Sequence, residues 1–410
     1  MTMRLHPLIS DTHQFPKAKV PILPVMNFGM VLGSSRSKSP SRFMTSDPLY
    51  LRSGSVALAH ALQAAGVDRD DTVLIPAYHC VAMVEPALWL QAKIVFYHLK
   101  PNLSADIQDL AAKLHQDVKA LLLPHYFGFP QPLVAIRRLC DRHGVKLIED
   151  CAHAFFGQTE GYMLGSVGDF AIASTMKFFP GIDGGMLCAN RSPFGPFATC
   201  APGLYRQLQA LANSIEIAAT YRRLGLFGFL MRLGFQVAYR LRRQRVDRET
   251  IQDEPNHAAE TISHMRWFCP ADMGQAGSWV SLWLLRSSHK AVVVRRRRDH
   301  YQYMLERLRH VPRAQPLFPE LPSTVVPYVF PLILEQPEHD FPALKARGVP
   351  IWRWEELADS DCQVSLQYRL RLLQLPCHQA LRRWELDWMI STIVEVLSIN
   401  PSVPYHGSYA

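Results

Sequence analysis

Nowhere in the 410 residues is there an uncharged apolar run of about eighteen, so no membrane-spanning helix is expected. The N-terminus lacks the charged-then-apolar pattern of a secretory signal, which points to the cytoplasm. The eight cysteines (Cys80, Cys140, Cys151, Cys188, Cys200, Cys269, Cys362, Cys377) are scattered with no CxxC pair. That argues against a metal site and reads as buried thiols of a cytosolic chain. No internal repeat is present, and nothing matches a nucleic-acid-binding motif. Charged residues make up only 19% against 48% hydrophobic ones, which excludes global disorder.

The length allows one large domain and a smaller one. Residues 1–50, rich in Pro, Ser and basic side chains, read as an extended arm with little regular structure. From 51 to 275 the pattern is that of a large α/β domain with a mostly parallel sheet between helices. Its strands are expected at Val73–Pro76, Ile94–Tyr97, Ala120–Pro124, Val145–Glu149, Phe170–Ala173 and Met186–Ala189. Helical patterns fill Ser55–Ala65, Ala105–Leu114 and Leu133–His143, with Gly144 as a C-cap. The rhythm breaks at about 191–270. A long connecting helix is expected from about Ala276 to Leu308, within a linking segment 276–321. Residues 322–410 read as a small α+β domain, with a strand at Tyr328–Leu334 and a last helix from about His378 to Leu397.

Lys plus Arg number 44 against 35 acids, a net charge of +9, and the excess is local. Eight arginines face one acid, Asp247, between Tyr221 and Arg248. Apolar residues crowd the same stretch. Two readings stay open: an interfacial helix on anionic lipid, or an insertion packed on the large domain with a solvated basic end. The Arg295–Arg298 run is expected on a solvated helix face.

Four features carry chemistry. Leu147-Ile148-Glu149-Asp150 is an apolar strand ending in two acids, and the carboxyl ends of parallel strands form the ligand crevice of such sheets. An Asp there can pair with a protonated pyridine nitrogen. Lys177 follows an apolar strand and precedes Phe178, Phe179 and Pro180; a desolvated lysine can form an imine with an aldehyde. Asp183-Gly184-Gly185 permits close backbone approach. Ser53-Gly54-Ser55 opens a helix and offers N–H groups and hydroxyls to a phosphate. Each has a plain structural reading: a turn-capping acid, a surface lysine, a hairpin, an N-cap. Their occurrence in one order points to a pyridoxal phosphate site.

These residues resemble the DegT/StrS-type nucleotide-sugar aminotransferases, which have the fold-type-I pyridoxal-phosphate architecture. Ser53–Leu58 is similar to that family's SGTxAL turn, and Val73–Tyr78 to its VIVPxx(aromatic) strand. Leu123–Gly128 resembles its P-V-H run. Ile148–Ala154 with Gly165–Phe170 resembles IEDAAQA…GSxGD, and Lys177 stands before Gly184-Gly185 with the K-x6-GG spacing. Leu375–Leu381 resembles LPxHxxL. The likeness covers most of 50–190 and returns at 325–395.

The resemblance implies roles. Asp150 would bind the pyridine nitrogen, and Lys177 would form the imine with the cofactor and move protons. Gly54 and Ser55 would hold the phosphate, with help from Ser174 or Thr175. Tyr78 would stack on the ring and His153 would bond its oxygen. His125 and His378 are weaker candidates for substrate contact. The implied reaction is amino transfer, from glutamate, to a keto group of a nucleotide-linked sugar, by a homodimer with sites at the subunit interface. Two departures stand out. Ser174 is only three residues before Lys177, and Phe268–Met273 replaces the Asn-x-Arg segment that reaches the partner's site. A non-sugar or lipid-linked keto substrate therefore remains an alternative, as does a non-catalytic scaffold in polysaccharide assembly.

Overall fold

The computed structural model describes residues 3–9, 15–27, 40–191, 197–225, 228 and 265–399. Strands β1 (Leu49–Leu51), β2 (Thr72–Pro76), β3 (Lys93–Tyr97), β4 (Val118–Pro124) and β5 (Lys146–Asp150) are followed by a small hairpin, β6 (Gln158–Thr159) and β7 (Tyr162–Met163). Then come β8 (Phe170–Ser174) and β9 (Gly185–Ala189). All but the hairpin form one seven-stranded sheet in the order β1-β9-β8-β5-β4-β2-β3. β3, β2, β4, β5 and β8 run parallel, while β9 is antiparallel to β8 and to β1. The central strands are apolar on both faces because helices cover both, and β2 and β8 are buried at every position.

The helices are α1 (Arg42–Thr45), α2 (Gly54–Ala64), α3 (Val81–Trp89), α4 (Ile107–Lys113), α5 (Leu133–His143), α6 (Leu204–Thr220), α7 (Trp279–Ser287), α8 (Lys290–Leu308), α9 (Pro337–Ala346), α10 (Gln363–Arg371) and α11 (Arg383–Ser398). Gly144 ends α5 in the left-handed conformation, φ 69°, where a side chain would be strained. The antiparallel sheet β10 (Ala314–Pro316), β11 (Val329–Leu334) and β12 (Leu372–Pro376) forms the centre of the C-terminal part.

Three expectations need correction. The long helix from Ala276 is two helices, α7 and α8, broken where Ser288 turns extended at ψ 136°. The break is tolerated because side chains satisfy the freed carbonyls of α7. Ser288 Oγ donates to Leu284 O at 2.6 Å, and Lys290 Nζ to Leu285 O and Arg286 O, both at 2.7 Å. The N-terminal arm is also more ordered than expected. It bridges the C-terminal part through Leu5 and Ala358, bonds Gly348 O from Lys19 N, and then supplies α1 and the edge strand β1. Third, Arg297 in α8 is wholly buried rather than solvated. The basic apolar stretch 221–248 is described only at 221–225 and 228. There the buried Arg223 Nη2 donates to both carboxylate oxygens of Glu385, at 2.7 and 2.6 Å; the remainder lies outside the described residues.

Candidate active site

Strand β2 has β3 on one side and β4 on the other, so the chain's winding reverses there. Ligand crevices form at such reversals, outside the carboxyl ends of the strands. Tyr78 follows β2, Tyr126 follows β4, Asp150 ends β5, and Lys177 closes a 3-10 turn directly after β8. The parallel register aligns these ends, pairing Pro124 with Asp150 and Asp150 with Ile172.

The two acids at the end of β5 point to opposite faces, as neighbours on a strand must, and their partners differ. Glu149 is fully buried and accepts from Gly165 N and Val167 N at 2.8 Å, Gly168 N at 2.6 Å and His125 Nε2 at 3.0 Å. Burial works to raise its pKa, but His125 and the amide donors outweigh it and the carboxyl lies below its ordinary value. Asp150 accepts one bond, from Ala152 N at 2.8 Å. Burial pushes its pKa up, opposed by the Lys177 ammonium, the Ala152 amide and His125. Glu149 is therefore a structural anchor, and Asp150 keeps an oxygen without a donor among the described residues.

Lys177 Nζ has no hydrogen-bond acceptor among the described residues and lies 5.6 Å from the centre of the Tyr328 ring. Its charge reaches Asp150, His153 and Cys80. His153 is buried, stacked on Tyr328 at 4.4 Å and on Phe127 at 5.6 Å. Burial, then the Lys177 charge, holds its pKa well below the ordinary imidazole value. Tyr78 is fully buried with a hydroxyl that has no partner among the described residues, and its ring packs on Trp354 at 4.9 Å.

The opposite end of the crevice is the start of α2. Ser53 caps the helix by accepting from Val56 N at 3.2 Å, which leaves the Gly54 and Ser55 amides without an intrahelical acceptor. Ser174 lies against Gly54: a Cβ added there would meet Ser174 Cβ at 3.3 Å. The buried Ser174 hydroxyl has no partner among the described residues. Thr175 and Ser55 are committed elsewhere, Thr175 Oγ1 to Asp183 O and Gly184 O at 3.1 Å and Ser55 Oγ to Trp267 O at 2.8 Å. Of Ser55, only the amide is open.

Asp183-Gly184-Gly185 serves the chain rather than a ligand. Asp183 binds Arg52 and accepts from Ser278 Oγ at 2.8 Å, joining β1, the turn and the start of α7. A Cβ on Gly185 would fall 2.0 Å from Ser53 O, so glycine lets β9 pass beneath the start of α2. His125 and His378 are likewise used up inside the fold. His125 Nδ1 accepts from Gln131 N at 3.2 Å, while Nε2 faces Glu149. His378 Nε2 faces Pro21 O at 3.0 Å and Nδ1 accepts from Ala380 N at 3.3 Å. Neither ring has a nitrogen left for substrate. Trp354, Tyr328 and Arg297, which complete the crevice walls, carry no local signature; they come from a loop, a strand start and an arginine run.

The unpartnered groups form a complementary set: an amine, a buried carboxylate oxygen, a phenol, and a hydroxyl beside two helix-start amides. Their chemistry fits pyridoxal phosphate, with the aldehyde at Lys177, the ring nitrogen at Asp150 and the phosphate at Gly54, Ser55 and Ser174.

Residues 47–193 match the model of the DegT/DnrJ/EryC1/StrS aminotransferase family. The chain is 33% identical over 171 residues to GDP-perosamine synthase of Vibrio cholerae, covering 38% of this chain and 46% of that protein. It is 32% identical over 168 residues to an Acidithiobacillus ferrooxidans UDP-N-acetyl-3-dehydro-alpha-D-glucosamine 3-aminotransferase, covering 39% and 42%. The chain thus spans less than half the length of these relatives. Among solved structures, Helicobacter pylori PseC, an aminotransferase of pseudoaminic acid biosynthesis, matches with TM-score 0.61 and 14% identity over 97% of this chain and 99% of that one. At that identity the likeness establishes the fold alone. The stretch of likeness, residues 47–193, holds Gly54, Tyr78, Asp150, His153, Ser174 and Lys177, and is similar to the DegT/DnrJ/EryC1/StrS aminotransferase family.

Proposed function

We propose that this protein is a pyridoxal-phosphate aminotransferase that moves an amino group, from glutamate, to a keto group of a nucleotide-linked sugar. The observation that carries the reading is the convergence of the Lys177 amine, the Asp150 oxygen left without a donor, and the open start of α2 with Ser174. Relatives that act on nucleotide sugars supply the substrate class.

Pyridoxal phosphate, when bound, supplies an aldehyde and an electron-withdrawing ring that stabilises negative charge on the carbon bearing the amine. The chain's own residues do the rest. The Gly54 and Ser55 amides and the Ser174 hydroxyl bind the phosphate dianion, favoured by the helix dipole. Asp150 holds a proton on the ring nitrogen; the buried carboxylate is costly without a cationic partner, so the pairing is mutually stabilising. His153, kept neutral by burial, offers a ring N–H to an oxygen anion. Lys177 Nζ would remove and return the proton at the substrate carbon. Tyr78, Tyr328 and Trp354 exclude water from this space.

We further infer a homodimer in the cytoplasm. Trp267, Trp279 and Trp283, with Leu204 and Tyr205 of α6, leave large apolar side chains exposed, a surface that fits a second copy. Among the described residues no helix is long and apolar enough to cross a membrane. The test is incubation with glutamate, pyridoxal phosphate and a panel of nucleotide ketosugars, beside Lys177→Ala. Amino sugar should form with wild type only. Refusal of every nucleotide ketosugar by a protein that still deaminates glutamate would move the substrate to a non-sugar ketone.

A further inference from the structure

Two backbone carbonyls in the turn that bears Lys177 receive no backbone donor among the described residues. The amides of Phe178 and Phe179 both fold back onto Thr175 O, at 3.1 and 2.9 Å, which leaves Lys177 O and Phe178 O pointing elsewhere. Side chains satisfy both. Arg297 Nη2 donates to Lys177 O at 2.7 Å, and Gln379 Nε2 donates to Phe178 O at 2.7 Å. The two side chains are joined, since Arg297 Nε donates to Gln379 Oε1 at 2.9 Å. Arg297 Nη1 also holds Pro327 O at 3.2 Å and Tyr328 O at 2.9 Å, and the guanidinium lies 4.3 Å over the Phe178 ring.

Arg297 is wholly buried and has no carboxylate partner among the described residues. Burial alone drives its pKa down, to about 10, so it remains charged at neutral pH. Stripping water from a cation without an acid to pair it is expensive. Here four oxygen acceptors and an aromatic face offset the loss, and only a planar fork reaches all of them. Those acceptors are not arbitrary. One is the carbonyl of the lysine; another belongs to Tyr328, whose ring lies beside the Lys177 amine and stacks on His153.

We propose that Arg297, joined to Gln379, is a positioning clamp for Lys177: a single guanidinium fixes the backbone of the proton-carrying residue and of the aromatic wall beside its amine. The proposal rests on Lys177 being the cofactor lysine. It assigns the closing Leu375–Leu381 motif a task as well, through Gln379 rather than His378.

The test uses Arg297→Lys and Gln379→Leu in the full chain. In the cofactor-free protein, hydrogen exchange at Phe178 and Phe179 should speed by about tenfold or more, while the β5 amides keep their wild-type rates. With pyridoxal phosphate added, the pH midpoint of its visible band should shift in both variants. Equal acceleration of turn and β5 amides, or no acceleration at either, overturns the clamp and leaves Arg297 as general packing. Gln379→Leu keeps the guanidinium and decides the question should Arg297→Lys fail to fold. Wild type that takes up no cofactor would defeat the proposed function, whereas the exchange rates would still decide the clamp.

Discussion

Glu149 and Asp150 are adjacent carboxylates of nearly the same chemistry, yet the structure assigns them opposite dependences. Glu149→Gln keeps the shape of the side chain but replaces one acceptor oxygen with an NH2 group. That group would face two donors, Val167 N and Gly168 N if it replaces Oε1 or Gly165 N and His125 Nε2 if it replaces Oε2, which now hold the carboxylate at 2.6–3.0 Å. A hydrogen bond to a charged acceptor contributes about 1.5–3 kcal/mol, and a buried donor left unpaired costs a similar amount. Losing two of these bonds therefore costs about 3–6 kcal/mol. Against a total stability of roughly 5–15 kcal/mol, that is a large fraction. Asp150→Asn removes a carboxylate that burial already disfavours, so the cofactor-free protein should keep its stability within about 1 kcal/mol. It should instead lose the visible band of bound pyridoxal phosphate or bind the cofactor far more weakly. Urea denaturation of the cofactor-free variants and cofactor titration followed by absorbance make the two measurements. A stable Glu149→Gln beside an unstable Asp150→Asn would refute the partition.

Ser174→Ala should leave the cofactor-free protein unchanged within about 0.5 kcal/mol, because the hydroxyl has no partner among the described residues to lose. It should raise the pyridoxal phosphate dissociation constant by roughly tenfold, the value of one hydrogen bond to an anion. An unchanged affinity would remove Ser174 from the phosphate site. Gly185→Ala should be severely destabilised, since its Cβ would fall 2.0 Å from Ser53 O; normal yield with a wild-type melting temperature contradicts the packing. The pH dependence has a definite sign. Glu149 and Asp169 have lowered pKa values, despite burial, owing to the His125 and amide donors for the first and to Leu147 N and Arg137 for the second. Their stabilisation is complete above the unfolded carboxylate range, about pH 4, and is lost as pH falls through the folded values. Urea midpoints from pH 7 to 3 should fall along that course, and less steeply in Glu149→Gln.

What was legible in the sequence was what local chemistry writes. Strands β2, β4, β5 and β8 announce themselves as short apolar runs because both faces are covered. The order Gly54, Asp150, Lys177 was readable because each belongs to a strand end or helix start. The edge strand β1 was hidden, being three residues long and held by β9 rather than by its own pattern. Helix α3 was masked by Pro86 in its interior. The break between α7 and α8 depends on a lysine side chain curling back onto carbonyls, which periodicity does not encode. Arg297 was misread because a run of four arginines suggests solvent, and only the tertiary placement of Gln379, Tyr328 and Lys177 makes one of them internal. The imidazoles of His125 and His378 drew attention as reactive groups, while their partners, a buried acid and a proline carbonyl, lie far away in sequence.

Borohydride reduction of the purified protein, after pyridoxal phosphate is added, tests whether Lys177 is the cofactor lysine. A visible absorption band should form that reduction removes, with the phosphopyridoxyl group recovered by mass spectrometry on the peptide bearing Lys177 and absent from Lys177→Ala. A protein that stays colourless, or a label on another lysine, would contradict it.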